Sequence, residues 1–128
     1  MTRRSATAGS AAVDFVLVSA LLTLMFAGVL QLALALHVRN TLVDAAGEGA
    51  RFGALVGRDG ADAEARTETL IVSALSDRLA DDVTASVEQV DGVQTVVVLV
   101  RAPLPVLGLL GPRSLELTGH AVDEKGLT

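Results

Sequence analysis

The spacing of hydrophobic and polar positions changes character along the chain, and each change marks an element. From Phe15 to Leu36 the sequence reads FVLVSALLTLMFAGVLQLALAL, 22 residues without a formal charge. As an α-helix such a run is on the order of 33 Å long, against a bilayer hydrocarbon core of roughly 30 Å. It is apolar on every side, and the residues left over are too few to wrap it in a soluble core. The pattern therefore predicts a transmembrane helix over about residues 15–36. A cleavable secretory signal is the rival reading, but its apolar stretch runs about 7 to 15 residues and ends in a small-x-small site. This stretch ends instead at Leu36-His37-Val38-Arg39.

Past the span, residues 38–57 contain no proline, and small residues recur every fourth position at Ala45, Gly49, Gly53 and Gly57, flanked by Ala46, Ala50 and Ala54. Such spacing aligns them on one helical face. The helix is expected to continue to residue 57. Glycine costs a helix up to about 1 kcal/mol per residue, so this stretch either frays or is stabilised by a neighbouring helix packed on Ala45, Gly49 and Gly53. Arg58-Asp59-Gly60 reads as a break. Asp59 or Asp62 would cap a second helix running to about Ala80, with Thr67, Leu70, Ile71, Ala74, Leu75 and Leu79 as its apolar stripe and Glu64, Glu68, Asp77 and Arg78 opposite.

The period then becomes two. Val83, Ala85 and Val87 alternate with Thr84, Ser86 and Glu88, and Asp91-Gly92 is a two-residue hairpin signal. Val93 to Ala102 is rich in β-branched residues and reads as a strand buried on both faces, ended by Pro103 and Pro105. In Ser114 to Val122, Leu115, Leu117 and Ala121 alternate with Glu116, Thr118 and His120. The fold class is α+β: a long N-terminal helix, an amphipathic second helix, and an antiparallel sheet of about three strands that the second helix covers. Residues 1–9 form a short basic leader, 10–57 the transmembrane and extended helix, and 58–128 a small extracytoplasmic domain. The connection Leu104 to Leu110 is unusually apolar, and fits either a surface patch for a partner or a filler of the core.

Composition sharpens this picture. The chain is 51% hydrophobic and only 20% charged, with a mean hydropathy of +0.54, and that excess is concentrated in the span. With three Phe and no Tyr or Trp the core is aliphatic, and the lack of Cys excludes disulfides and thiolate metal sites. A net charge of −5 disfavours nucleic acid as a partner. Arg3 and Arg4 precede the span with no acid before residue 14, whereas residues 38–128 hold 14 acids and 8 bases, a net of −6. Basic residues near a span are retained in the cytoplasm. The expectation is a single-pass protein of the cell membrane, N-terminus inside and C-terminal domain outside.

Nothing in the sequence supports catalysis. His37 stands at the end of the span and His120 on the polar side of a strand, without a Ser/His/Asp order, H-E-x-x-H or phosphate loop. The pairs Asp81-Asp82 and Asp62/Glu64 read as helix ends and solvated faces. No cofactor or metal is called for.

The informative segment is Gly9-Ser10-Ala11-Ala12-Val13-Asp14-Phe15, where a carboxylate opens an apolar helix. An ionisable residue in a span is a functional hypothesis by default. A glycine with an acid five positions later, after a basic leader and before an apolar helix, resembles a type IV prepilin processing site. More narrowly, the chain resembles the TadE-like pseudopilins of tight-adherence (Flp-type) pilus systems, and Leu36-His37-Val38-Arg39-Asn40-Thr41-Leu42 and Ala45-Ala46-Gly47-Glu48-Gly49-Ala50-Arg51 resemble that family's post-membrane segment. Asp14 and Phe15 stand where the family usually has Glu and Tyr; Asp keeps the charge with a reach shorter by one methylene.

The resemblance implies cleavage between Gly9 and Ser10 by a membrane prepilin peptidase, with the span left attached to the mature protein. It also implies that Asp14, followed by Phe15, sets assembly register by pairing with the new Ser10 amine of an adjacent subunit. The implied partners are membrane lipid, the peptidase, and other pilin or pseudopilin subunits with their assembly machinery. Two rivals stay open: a membrane-anchored partner-binding protein that is neither cut nor assembled, and a secreted protein with an unusual export signal.

Overall fold

Before Pro103 the chain has no proline, so nothing in its first third forbids a helix. In the computed structural model, which describes residues 3–104 and 114–127, α1 runs unbroken over Arg3–Ala54, 52 residues. The chain leaves the helix through Gly57, whose φ of 83° is a left-handed conformation that only glycine adopts freely. Helix α2 (Gly60–Ala74) opens on a reciprocal cap. The Asp62 N–H donates to Asp59 Oδ1 at 3.0 Å, and the Asp59 N–H donates to Asp62 Oδ2 at 3.1 Å.

Helix α2 ends six residues before the expected Ala80. Ser76 is extended (φ −164°, ψ 159°) and breaks it, and a 3-10 turn at Asp77–Leu79 carries Leu79 back against the core.

Strands β1 (Val83–Val90), β2 (Val93–Pro103) and β3 (Ser114–Val122) form one antiparallel sheet in the order β1-β2-β3. This is the α+β arrangement that the sequence pattern predicts. The β1–β2 connection is the two-residue turn at Asp91 (φ 52°) and Gly92 (φ 83°), both left-handed as the hairpin twist demands. Val83 pairs with Val100 and Ala85 with Val98, while Leu117 pairs with Val100 and Ala121 with Val96. One face of the sheet therefore gathers the inward residues of all three strands. Burial of β2 on both faces is confined to its middle: residues 95–98 are buried, Leu99 is half-buried, and Val93, Gln94 and Arg101 are exposed. Of the apolar connection after β2 only Leu104 is described; residues 105–110 lie outside the described residues.

The chain divides into two compact units, Met1–Leu34 and Ala35–Thr128. The first is the N-terminal part of α1, exposed along nearly all its described length. The second is built around a core to which α1 itself contributes Val38, Leu42, Ala45, Ala46, Ala50 and Ala54. These join Ala63, Thr67 and Ile71 of α2, Val96, Val98 and Val100 of β2, and Leu117 of β3. The last five turns of α1 thus share with α2 the task of burying the sheet. The N–H of Ala85 donates to Glu64 Oε1 at 2.8 Å, which ties α2 to β1.

Candidate functional site

The residues implicated in processing and register all lie early in α1. Gly9, Ser10, Asp14 and Phe15 are exposed, and a Cβ at Gly9 would meet nothing within 4 Å. Among the described residues Asp14 forms no ion pair or hydrogen bond. Ser10 and Asp14 are four residues apart in a continuous helix, on one face and about 6 Å apart along its axis. The first turn of α1 contains Arg3 and Arg4 and no acid. Were the chain to begin at Ser10, the helix would instead have Asp14 at its fifth residue.

Thr7–Ala54 contains a window of mean hydropathy 2.3, none of it buried, and the helix is long and apolar enough to cross a membrane. Phe15 is 73% exposed, Leu24 71% and Phe26 65%. Side chains of that size, exposed all round a helix, match hydrocarbon and not water.

Farther along α1 the face of small residues is occupied. A Cβ at Gly49 would overlap Thr67 Oγ1 and fall 2.9 Å from the Ala63 carbonyl oxygen; one at Gly53 would fall 2.6 Å from Ala63 Cβ and 2.9 Å from the Asp59 carbonyl oxygen. Ala45, on the same face, is buried. The helix that these residues admit is α2 of the same chain. Thr67 can bury its hydroxyl against Gly49 because that hydroxyl donates to the Ala63 carbonyl at 2.8 Å and is satisfied within its own helix.

A third close approach was not anticipated from the sequence. At Gly119 a Cβ would overlap the Ala46 carbonyl group and come within 2.5 Å of the Gly47 nitrogen. Helix α1 therefore crosses β3 backbone against backbone. The available signal was a glycine in the inward register of an alternating strand, between Leu117 and Ala121. The environment of Phe52 was equally unforeseen. The guanidinium groups of Arg58 and Arg66 lie 4.6 Å and 5.8 Å from its ring centroid, and the Lys125 amine donates to the Arg58 carbonyl. These cations gather where the negative end of the α1 macrodipole emerges.

Among the described residues the remaining polar groups do not assemble into a reactive centre. His37 and His120 are both exposed, and Asp62 and Glu64 are engaged in the cap and the β1 contact. A groove of about 560 Å³ between α1 and β3 is lined by Asp44, Glu48, Arg51 and His120 among others, with Glu48 paired to Arg51 at 3.5 Å. Among the described residues no three His, Cys, Asp or Glu side chains come together as a metal site would require.

The model of one protein family, described as TadE-like protein, matches residues 9–51. This segment is TadE-like. The match begins at Gly9, runs through the exposed apolar helix, and ends at Arg51 within the part of α1 that forms the core of the second unit. It points to a Tad pilus-related protein anchored by a single membrane helix, and to a pilus-associated family rather than an enzyme family. Comparison with curated proteins and with solved structures gave no match. The TadE-like segment thus joins two physical tasks in one helix: apolar exposure before Leu34, and close packing against α2 and β3 after Ala35.

Proposed function

We propose that the chain is a TadE-like pseudopilin, a minor or assembly component of a tight-adherence (Flp-type) pilus or a related secretion system. A prepilin peptidase removes residues 1–9 on the cytoplasmic side, the span keeps the mature protein in the membrane, and the α+β body stands outside. The observation that carries this reading is the extent of the TadE-like match, which starts at the glycine of the expected cut and takes in Asp14 and the whole span. Asp14 then meets the cationic amine of Ser10 on an adjacent subunit. Burying either charge alone is costly, so the pair contributes axial register more than net stability. No step in this role calls for a catalytic group, a metal or a cofactor.

Orientation follows from Arg3 and Arg4 ahead of the span and the acidic excess behind it. A reporter active only outside the cytoplasm, fused after Thr128, is expected to be active, and a cytoplasm-only reporter at the same point silent. The reverse pattern would overturn both the topology and the role, because the peptidase would then meet the wrong end of the protein.

A further inference from the structure

Between Phe15 and Leu36 the side chains with polar heads are Ser19, Thr23 and Gln31. The Thr23 hydroxyl donates to the Ser19 carbonyl at 2.8 Å and is satisfied within its own helix. Gln31 is different. Its amide carries two donors and an acceptor, it is half-exposed, and among the described residues it has no hydrogen-bond partner. It lies five residues before the end of the apolar run, about 7.5 Å inside it along a helix axis. At that depth lipid chains offer no hydrogen bond, and an unpartnered amide is strongly disfavoured.

One turn before Gln31, and next to it on the helix surface, stand Ala27 and Gly28. A Cβ at Gly28 would meet nothing within 4 Å. The surface beside the amide is therefore shallow, and another helix backbone can approach it closely.

We propose that Gln31, with Ala27 and Gly28 beside it, is the face through which the membrane span meets the span of a second copy of this chain, their amides hydrogen-bonding to each other. The amide is self-complementary, being donor and acceptor at once. Copies inserted in one orientation hold Gln31 at one depth, so the two groups meet without any further alignment. A different membrane protein would need its own polar group at that same depth. The inference rests on the membrane-spanning reading of α1 alone, and neither on cleavage after Gly9 nor on assembly into a pilus.

The test uses the full chain, labelled after Thr128 with donor or acceptor fluorophores and reconstituted into phosphatidylcholine vesicles over a range of lipid-to-protein ratios. Energy transfer should report self-association, roughly fivefold to thirtyfold weaker in Gln31→Leu, the range measured for interhelical hydrogen bonds in model peptides. Gly28→Leu keeps the amide and fits the single chain, yet should weaken association to a similar degree by blocking close approach. Val29→Leu, on the far side of the helix, should associate like the parent. Gln31→Leu associating as tightly as the parent would overturn the proposal and leave the amide as one that reaches the headgroups. A parent chain monomeric at every ratio would overturn it as well. The vesicles contain neither peptidase nor other pilins, so neither outcome bears on the pseudopilin role.

Discussion

Gly119→Ala is expected to destabilise the body formed by Ala35–Thr128 far more than one methyl group ordinarily does. The added Cβ would overlap the Ala46 carbonyl group and press on the Gly47 nitrogen. These are backbone atoms of a helix whose next turns are fixed by α2, so no rotamer change relieves the clash. Overpacking of a core typically costs 1–3 kcal/mol, and a backbone obstacle places this variant at about 3 kcal/mol or more. Against a usual stability of about 5–15 kcal/mol that is a large share. Gly47→Ala is the internal control, since a Cβ there meets nothing within 4 Å; it should stabilise by about 0.5–1 kcal/mol through helix propensity. Urea unfolding of the detergent-extracted protein, followed by circular dichroism because the chain has no Trp or Tyr, measures both. Equal midpoints for Gly119→Ala and the parent would mean that α1 does not cross β3 at this contact. Gly49→Leu should fail in the same way, against Thr67 and the Ala63 carbonyl oxygen. Loss of assembly in that variant would therefore follow from an unfolded body and would say nothing about contacts between subunits.

The second large effect is expected at Asp14, and it should appear in assembly while the fold is untouched. Asp14 is exposed on α1 and belongs to the first unit, outside the core of the α+β body, so replacing it should leave that body as it is. If its carboxylate meets the Ser10 amine of a neighbouring subunit, Asp14→Ala and Asp14→Asn leave a buried ammonium unpaired. That costs several kcal/mol, enough to reduce co-assembly by orders of magnitude. Asn is the sharper probe, because it keeps shape and hydrogen bonding and removes only the charge. Asp14→Glu keeps the charge, lengthens the reach by a methylene, and should assemble like the parent. Co-purification with pilus components, scored separately from cleavage after Gly9, distinguishes the cases. Undiminished co-purification of the Asn and Ala variants would show Asp14 to be a tolerated interfacial acid.

Local rules made most of the fold legible. The uncharged run from Phe15 to Leu36, the Asp59 cap, the Asp91-Gly92 turn and the alternation in β3 each appear where residue chemistry puts them. In β1 the inward pattern holds at Val83 and Ala85, whereas Val87 is exposed. Contacts between residues distant in sequence were not legible. The small face at Ala45, Gly49 and Gly53 announced that a helix comes close, but periodicity could not tell a helix of another subunit from α2. Gly119 lay in plain view as an inward glycine, yet only the tertiary path of α1 gives it a reason. Likewise Phe52 and Arg66 are ordinary on their own helices and meet only through the fold. Gly9, Ser10 and Asp14 are a different matter. Their surroundings in a single chain are open, so their significance comes from the motif and the TadE-like match, and the contact proposed for Asp14 lies between molecules.

The pseudopilin role is tested most directly by the mass and N-terminal sequence of the protein extracted from membranes, with and without an active prepilin peptidase. With the peptidase present the mature chain should begin at Ser10 and contain 119 residues, the 128 of the full sequence less the nine of the leader. Without it, or with Gly9→Ile placing a branched side chain at the scissile bond, residues 1–9 should stay attached. A chain that keeps its leader beside an active peptidase, or one that begins after residue 36, would contradict the role.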